Sequence, residues 1–171
     1  MSASIRYRTD HDLGPCVRVL AEVHAHDGYP VNWPDAPDTW LTPASLLGAW
    51  VAELHGTTAG HIVLSRSGRG DAAPGLWSAR AGVSTDATAV INRLFVAPSA
   101  RGHRIGAALI AQAVTEARSR GLHPVLDVVA SDTAAAALYE RLGWQLLGTV
   151  EQEWSPTRTV SVHCYAAPRC G

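Results

Sequence analysis

Hydrophobic and polar positions alternate along most of this chain with the periods that are typical of strands and helices. Two-residue alternation and short β-branched apolar runs predict strands at residues 4–8, 49–54, 59–64, 89–96, 125–130, 145–154 and 158–166. Apolar positions at helical spacing predict helices from Asp10 or Asp12 to about Ala25, over residues 105–120 and over residues 134–142. Gly121 and Gly143 follow the last two helices, where glycine commonly ends a helix.

The order of these elements predicts an α/β (α+β) fold with a mixed central sheet of about seven strands and helices on both faces. Two segments lack a regular pattern. Residues 24–43 hold four prolines and predict a loop with room for a short helix, and residues 65–88, rich in Gly, Ala and Ser, predict a long loop. No repeat or domain-sized linker interrupts the 171 residues, so we expect one domain.

Composition and charge exclude several classes of protein. The chain is 47% hydrophobic and 17% charged, which is ordinary for a globular domain, and its net charge of -1 argues against general binding of nucleic acid. No apolar run approaches the roughly 18 residues of a membrane span, and the opening MSASIRYRTD lacks a signal-peptide core, so no membrane partner and a cytoplasmic location are predicted. Cys16, Cys164 and Cys170 have neither disulfide-framework nor zinc-site spacing.

The segment between the central strand and the second long helix carries the strongest chemical signal. Pro98 ends the strand, and residues 101–106, RGHRIG, lead directly into the helical pattern. Unpaired backbone N–H groups and the positive end of a helix dipole favour an anion such as a pyrophosphate. The glycine spacing differs from that of a dinucleotide loop, and the Lys-Ser/Thr ending of a Walker loop is missing.

This loop resembles the acyl-CoA pyrophosphate loop of the GNAT superfamily of N-acyltransferases. The family form is Arg or Gln, two residues, Gly, one residue, then Gly or Ala; Arg101 and Gly106 match its ends, while Arg104 replaces the middle glycine. If that position needs a positive φ, a Cβ there costs on the order of 1 kcal/mol. An arginine can offset this cost by binding a phosphate with two parallel hydrogen bonds.

A second motif follows in the expected order. Residues 131–144, SDTAAAALYERLGW, resemble the GNAT signature Asn-x-x-Ala-x-x-x-Tyr with a Gly-aromatic pair, with Asp132 in place of Asn and Gly143-Trp144 as the pair. The chain is therefore identified as a member of this superfamily. The resemblance covers the whole chain by the order of elements and Ala89–Trp144 by motif.

The resemblance implies how the domain is organised and what it does. Residues 1–64 would form an N-terminal, acceptor-side arm, 65–88 a long loop, 89–144 the acyl-CoA-binding core and 145–171 a C-terminal hairpin. The implied function is transfer of an acetyl group from acetyl-CoA to a primary amine, on a small molecule or a peptide, by direct attack in a ternary complex. The resemblance also leaves room for a homodimer.

Site residues follow from the same motifs. Tyr139 would be the acid that protonates the departing CoA sulfur, since a phenol with a pKa of about 10 can donate to a thiolate. Backbone N–H groups of Leu94, Phe95 or Val96 would polarise the thioester carbonyl. The expected cofactor-binding residues are Leu94, Phe95, Val96, Arg101, Gly102, His103, Arg104, Ile105, Gly106, Ala107, Asp132 and Tyr139.

The general base and the acceptor site are less defined. Many relatives place a Glu on the central strand, but residues 89–93 offer no carboxylate. The alternatives are a water chain, an acceptor that arrives neutral, or one of Asp86, His61, Glu22, His24, His26 and Asp27. Acidic residues interleaved with aromatic ones between residues 10 and 40 suit a cationic amine, and the candidate acceptor residues are Asp27, Tyr29, Trp33 and Asn92. No metal site is predicted, because His24 and His26 have no further ligands clustered with them in sequence.

Two rival functions stay open at this point. Arg104 in the loop and the missing strand carboxylate suit a non-catalytic acyl-CoA-binding or regulatory module. An acyltransferase that uses a hydroxyl acceptor or a longer acyl chain fits the same motifs.

Overall fold

The computed structural model describes residues 3–169, so Cys170 lies outside the described residues. The strands within this range are β1 (Ser4–Tyr7), β2 (Leu46–Leu54), β3 (Thr57–Arg66), β4 (Thr88–Val96), β5 (His123–Val129), β6 (Gln145–Ser155) and β7 (Arg158–Ala166). The α-helices within it are α1 (Leu13–Asp27), α2 (Pro37–Trp40), α3 (Ala73–Ala81), α4 (Ile105–Ser119) and α5 (Thr133–Arg141). Most of these elements lie close to the positions that the sequence predicts.

The strands form one seven-stranded sheet in the order β1-β2-β3-β4-β5-β7-β6. β1 with β2, β2 with β3, β5 with β7 and β6 with β7 pair antiparallel, whereas β4 pairs with β5 in parallel. The predicted mixed sheet is therefore confirmed. The parallel pairing joins Thr88–Val90 to His123–Val125, and β4 continues for six residues beyond it.

Two compact units make up the chain. The first contains the chain up to Ser65 together with Ile91–Glu116, and the second contains Arg66–Val90 together with the chain from Ala117. Their boundaries fall inside β4 and α4, so each unit is assembled from segments that are distant in sequence. The contiguous subdivision at residues 64, 88 and 144 stays a prediction, apart from the loop corrected below.

The core of the first unit is apolar and closely packed around α1, α4 and the strands β2 and β3. Leu20, Trp50, Ile62 and Leu109 are fully buried in it or nearly so. Gly60 on β3 permits this packing, because a Cβ there would lie 3.0 Å from side-chain carbons of both Ile105 and Leu109. The first residue of α4 therefore packs directly against the sheet, which fixes where the preceding loop ends.

The second unit corrects the prediction of a loop over residues 65–88. β3 continues to Arg66, and α3 occupies Ala73–Ala81 within that segment. The core of this unit includes Trp77 from α3 with Val90, Val125 and Val162 from three strands. The prediction was wrong because α3 is short and weakly amphipathic, and tertiary packing of Trp77 supplies the stability that its sequence pattern does not.

Asp127 on β5 holds the start of α3. Its two carboxylate oxygens accept hydrogen bonds from the backbone N–H groups of Ala72 at 2.7 Å and Ala73 at 2.8 Å. Ala72, at the N-cap position, has no side chain able to do this. The single acid in an apolar strand therefore caps a helix that begins 54 residues earlier in the chain.

Replacing Asp127 by alanine is expected to lower the free energy of unfolding by about 2 kcal/mol, because two helix N–H groups lose a charged acceptor. Asp127→Asn is the matched control: it keeps one acceptor oxygen and should cost about half as much. Urea unfolding of the three proteins measures both values. Equal stability of wild type and Asp127→Ala would show that the cap contributes nothing.

Candidate functional site

The loop before α4 presents backbone to solvent at the start of a long helix. A short turn at Pro98–Ala100 ends β4, and the following residues Arg101, Gly102, His103 and Arg104 are all exposed before Ile105 turns inward. Gly102 has a φ of 88°. The helix that follows is 15 residues long, so its first N–H groups carry the full positive end of a helix dipole. This geometry suits an anion.

Arg104 adopts the left-handed conformation that the family pattern reserves for glycine. Its φ is 59°, so the expected strain at this position is present. Its backbone carbonyl accepts the N–H of Ala108 at 3.1 Å, inside the first turn of α4. Within residues 3–169, its guanidinium has no hydrogen-bond or ion-pair partner. A free arginine side chain thus stands beside the exposed amides of the loop.

Arg101 forms an ion pair with Asp27, the last residue of α1. The same guanidinium donates to the backbone carbonyl of Val96 at 3.3 Å. The Asp27 carboxylate also lies 2.6 Å from Nδ1 of His26. Hydrogen bonds from Arg101 and His26 lower the pKa of Asp27, which makes its carboxylate a weak proton acceptor. The structure therefore brings a predicted acceptor residue and a predicted loop residue together.

The end of β4 lies beside an unusual backbone conformation. Phe95 is buried and its ring stacks on that of His61 at 5.0 Å, while Leu94 and Val96 are half-buried. Arg93, immediately before them, has a φ of 53° inside the strand. A positive φ in a non-glycine residue costs about 1 kcal/mol or more and is concentrated at functional sites.

His61 on β3, one of the candidate bases, is fully buried with both ring nitrogens engaged. Nδ1 lies 2.9 Å from the carbonyl oxygen of Arg93, and Nε2 lies 2.9 Å from Nη1 of Arg8. Burial lowers the pKa of His61 to about 4, and the positive charges of the two arginines add to this effect. A base role would require His61 to take a proton on the nitrogen that faces Arg8, so the structure does not favour it.

Asn92 on β4 has a buried oxygen without a partner. Its Nδ2 donates to Oγ of Ser65 at 3.3 Å, whereas Oδ1 is buried and has no hydrogen-bond partner within residues 3–169. A buried, unsatisfied acceptor costs about 1–3 kcal/mol, so an atom of this kind calls for an explanation. A ligand N–H that occupies the site would satisfy it.

The other predicted acceptor residues lie in the segment after α1. The ring of Tyr29 meets that of Trp40 edge-on at 6.3 Å, and Trp33, 39% exposed, lies 5.3 Å from the ring of His24. Nδ1 of His24 lies 2.8 Å from the carbonyl of Pro30. The segment therefore presents aromatic surface, and its histidine is held by the backbone.

The remaining candidate bases show no shared site. Glu22 and Asp86 are exposed, and His26 pairs with Asp27. Among residues 3–169, no three His, Cys, Asp or Glu side chains are grouped in a way that could hold a metal ion.

Tyr139 and Asp132, the two residues carried by the second motif, lie in the second unit. Asp132 caps α5 by accepting the N–H of Ala135 at 3.1 Å, which confirms the predicted helix start. Tyr139 is 5% exposed, and its ring packs at 5.6 Å from Trp144 and 5.9 Å from Tyr165. The aromatic residues of the motif are thus part of one packed cluster.

Cys16 and Cys164 are buried free thiols. Burial raises the pKa of each to about 12. Because the thiolate is the nucleophilic form, both are poor candidates for an acyl-enzyme intermediate.

Sequence reasoning missed Arg8 and Arg93 as members of the site region. Arg93 donates from Nε to the carbonyl of Trp40 at 3.1 Å, and its guanidinium lies 4.1 Å from the centre of the Trp40 ring. A charged residue inside the apolar β4 run was the available signal for Arg93. Nothing in the local sequence of Arg8 indicates the contacts it makes.

The sheet, the loop before α4 and the sequence motif that contains Tyr139 are each typical of acyl-CoA-dependent transferases. A family model described as Acetyltransferase (GNAT) family matches residues 17–144. The chain belongs to this family, whose members use acetyl-CoA as co-substrate. The predicted family and fold class are confirmed.

Solved structures share this fold across their whole length. Ribosomal-protein-S18-alanine N-acetyltransferase from Escherichia coli is 19% identical with a TM-score of 0.69, covering 99% of this chain and 96% of that one. Ribosomal-protein-alanine N-acetyltransferase from Brucella melitensis is 22% identical with a TM-score of 0.68, covering 95% and 98%. The protein yncA from Salmonella typhimurium, solved with its cofactor acetyl-CoA, is 18% identical with a TM-score of 0.70, covering 97% and 93%. No curated protein matches the chain significantly by sequence.

Within residues 3–169, no helix is both long enough and apolar enough to cross a membrane. The cytoplasmic location and the homodimer stay predictions.

Proposed function

We propose that this protein is an N-acetyltransferase that moves the acetyl group of acetyl-CoA to a primary amine by direct attack in a ternary complex. The observation that carries the proposal is the loop before α4, with its exposed amides, its left-handed Arg104 and the free guanidinium of that residue. Amides at a helix start bind a pyrophosphate through hydrogen bonds and the helix dipole. Family membership supports acetyl-CoA as the molecule that carries this pyrophosphate.

The chemistry requires a polarised carbonyl and a protonated leaving group. In the proposal, backbone N–H groups among Leu94, Phe95 and Val96 donate to the thioester oxygen as negative charge develops on it. The amine nitrogen forms the new C–N bond, the C–S bond breaks, and Tyr139 gives a proton to the departing sulfur. The proton that the amine loses passes through water and restores the phenol. Two buried cysteines with raised pKa values support direct attack over a covalent intermediate, because neither thiol is ionised near neutral pH.

The acceptor in this proposal is an amine that is partly neutral near pH 8. Residues 89–93 carry no carboxylate, and His61 is engaged on both sides. An α-amino group has a pKa of about 8, whereas the amine of a lysine side chain has one of about 10.4, so the former needs less help from a base. We assign Oδ1 of Asn92 to the attacking N–H, and Tyr29, Trp33 and Asp27 to the surface around the acceptor.

Two measurements test the proposal. Calorimetry with acetyl-CoA should detect binding, and release of free thiol from acetyl-CoA should depend on the acceptor when peptides with a free α-amino group, lysine-type amines and alcohols are compared. The chain has no lysine, so its own side-chain amines contribute no background. No heat on addition of acetyl-CoA overturns the assignment. Binding without acceptor-dependent release supports the binding module, and release with alcohols alone supports the hydroxyl acceptor.

Replacing Arg104 by glycine is expected to weaken acetyl-CoA binding about tenfold, because a charged hydrogen bond to phosphate is lost. The free energy of unfolding should change by less than about 1 kcal/mol, since relief at positive φ offsets the greater freedom of glycine in the unfolded chain. Calorimetry and urea unfolding measure the two effects.

The matched control for Arg104→Gly is His55→Gly. His55 also has a positive φ, 55°, and is exposed in the turn between β2 and β3. It should show the same small effect on stability and no effect on acetyl-CoA binding. Acetyl-pantetheine, which lacks the pyrophosphate, should bind wild type and Arg104→Gly equally. An unchanged affinity of Arg104→Gly for acetyl-CoA would remove the phosphate contact from the proposal.

A further inference from the structure

The buried ring of His61 joins β4 to Arg8, the residue that follows β1. It is 0% exposed, stacks on Phe95, and lies between the carbonyl oxygen of Arg93 and the guanidinium of Arg8. These partners come from the two separate stretches of chain that make up the first unit. A histidine in this position is engaged by polar groups on both sides and has no contact with solvent.

The partners of His61 fix the position of its proton. An arginine can only donate, so Nε2 accepts from Nη1 of Arg8, and a backbone carbonyl can only accept, so Nδ1 carries the hydrogen that is donated to Arg93. The ring is therefore neutral with a single tautomer. It acts as a fixed N–H donor aimed at one carbonyl of β4.

That carbonyl belongs to the residue whose backbone is strained. Arg93 is left-handed inside a strand, and its carbonyl group forms a peptide unit with the N–H of Leu94. Because a peptide unit is planar, fixing the oxygen of Arg93 also fixes the direction of the Leu94 N–H. The side chain of Arg93 is also held, because its guanidinium lies over the Trp40 ring and donates a hydrogen bond to the Trp40 carbonyl.

We propose that His61 is a positioning residue, which holds the peptide between Arg93 and Leu94 so that the N–H of Leu94 points at the thioester carbonyl. The inference rests on the proposed function and adds a residue to its machinery. His61 touches neither substrate nor coenzyme in it. The effect passes through the backbone of Arg93.

Arg8 extends the same network to the acceptor side. Its guanidinium donates to the carbonyl of Leu41 at 2.7 Å and to Oγ1 of Thr42 at 2.7 Å, besides the ring of His61. Burial lowers the pKa of Arg8 from its ordinary value, with no counterion bonded to it in this network. The half-buried Arg8 and the buried His61 together hold both the β4 peptide and the segment that follows Trp40.

Two substitutions separate the donor to Arg93 from the acceptor toward Arg8. His61→Asn places a side-chain amide near the position of Nδ1, so it keeps a donor for the Arg93 carbonyl. His61→Gln places the side-chain amide near the position of Nε2, so it keeps an acceptor for Arg8. We expect His61→Gln to lower kcat about 10- to 100-fold with little change in KM for acetyl-CoA, as for a small misplacement of reacting groups. His61→Asn should keep kcat within about threefold, although both lose the ring stack on Phe95.

Backbone NMR of the free protein gives a readout that does not depend on turnover. The amide signals of Leu94, Phe95 and Val96 should shift in His61→Gln and stay near their wild-type positions in His61→Asn. Nitrogen shifts of the imidazole in wild type should show the proton on Nδ1, which tests the inference even if His61→Gln does not fold.

Three results overturn the positioning role: equal kcat in wild type and His61→Gln, equal losses in the two variants, or a proton on Nε2 of wild-type His61. If wild type binds acetyl-CoA but acetylates no acceptor, the proposed function fails. The amide and imidazole signals then still decide whether His61 holds the Arg93 peptide.

Discussion

Replacing Tyr139 by phenylalanine should lower kcat by about 10²- to 10⁴-fold, the range that general acid catalysis contributes. In the proposed mechanism the phenol protonates the departing sulfur, so its loss acts on the chemical step. KM for acetyl-CoA should change little, because the interaction belongs to the transition state. Phenylalanine keeps the ring packed against Trp144 and Tyr165, so stability should fall by less than about 1 kcal/mol.

The matched control is Tyr165→Phe. The ring centre of Tyr165 lies 5.9 Å from that of Tyr139, and Tyr165 is 2% exposed. The control variant therefore also removes one tyrosine hydroxyl from this aromatic cluster. Burial, with Glu140 adding to it, raises the pKa of Tyr165 above that of an ordinary phenol. Steady-state kinetics should show Tyr165→Phe near wild type. A Tyr139→Phe enzyme with full turnover on its acceptor would end the acid assignment.

A large pH effect on stability between pH 4 and 6.5 should come from His61. Its pKa is about 4 in the folded protein and 6.5 as the ordinary value, so between these values the unfolded chain binds a proton that the folded chain does not. Stability therefore rises with pH in this window. The stabilisation that the neutral His61 ring contributes is complete above pH 6.5. The free energy of unfolding falls by about 3 kcal/mol as the pH falls to 4.

His61→Asn isolates this contribution, because it removes the titrating group and keeps a donor. The charged groups facing the ring are Arg8 and Arg93, which oppose its protonation, and the more distant Asp12, which favours it. Asp12, whose pKa is lowered by its bonds to Arg6, destabilises the fold only at lower pH and does so in both proteins. Urea unfolding at pH 7.0, 5.5 and 4.5 should show a steeper loss in wild type by roughly 1 kcal/mol per pH unit. Parallel curves would contradict the prediction.

Local sequence was sufficient for most of the fold. Alternation predicts strands such as β7 and helical spacing predicts α1, α4 and α5, because the period of buried positions is a local property of each element. The loop over residues 65–88 was the failure. Its helix depends on Asp127, which lies on another strand, and on burial of Trp77, and neither partner can be identified from the segment itself.

The candidate site likewise has features that the local sequence predicts and contacts that it does not. The loop from Arg101 to Gly106 and the motif around Tyr139 are contiguous in sequence, so they carry their own signal. The ion pair between Arg101 and Asp27 joins residues 74 positions apart. The contacts among Arg8, His61 and Arg93 join the residue after β1 to the strands β3 and β4. No spacing rule links such residues.

The sequence by itself determined the family, the order of the strands and of the helices α1, α4 and α5, and the loop at the start of α4 with arginine in place of glycine. Only the tertiary structure decided that Arg104 is left-handed with a free guanidinium, that His61 is a neutral buried donor instead of a base, and that Asp127 caps α3. The physical reason is the distance along the chain over which each kind of interaction acts. Backbone preference and hydrophobic period act between near neighbours, whereas ionisation, caps and strain depend on groups that only folding brings together.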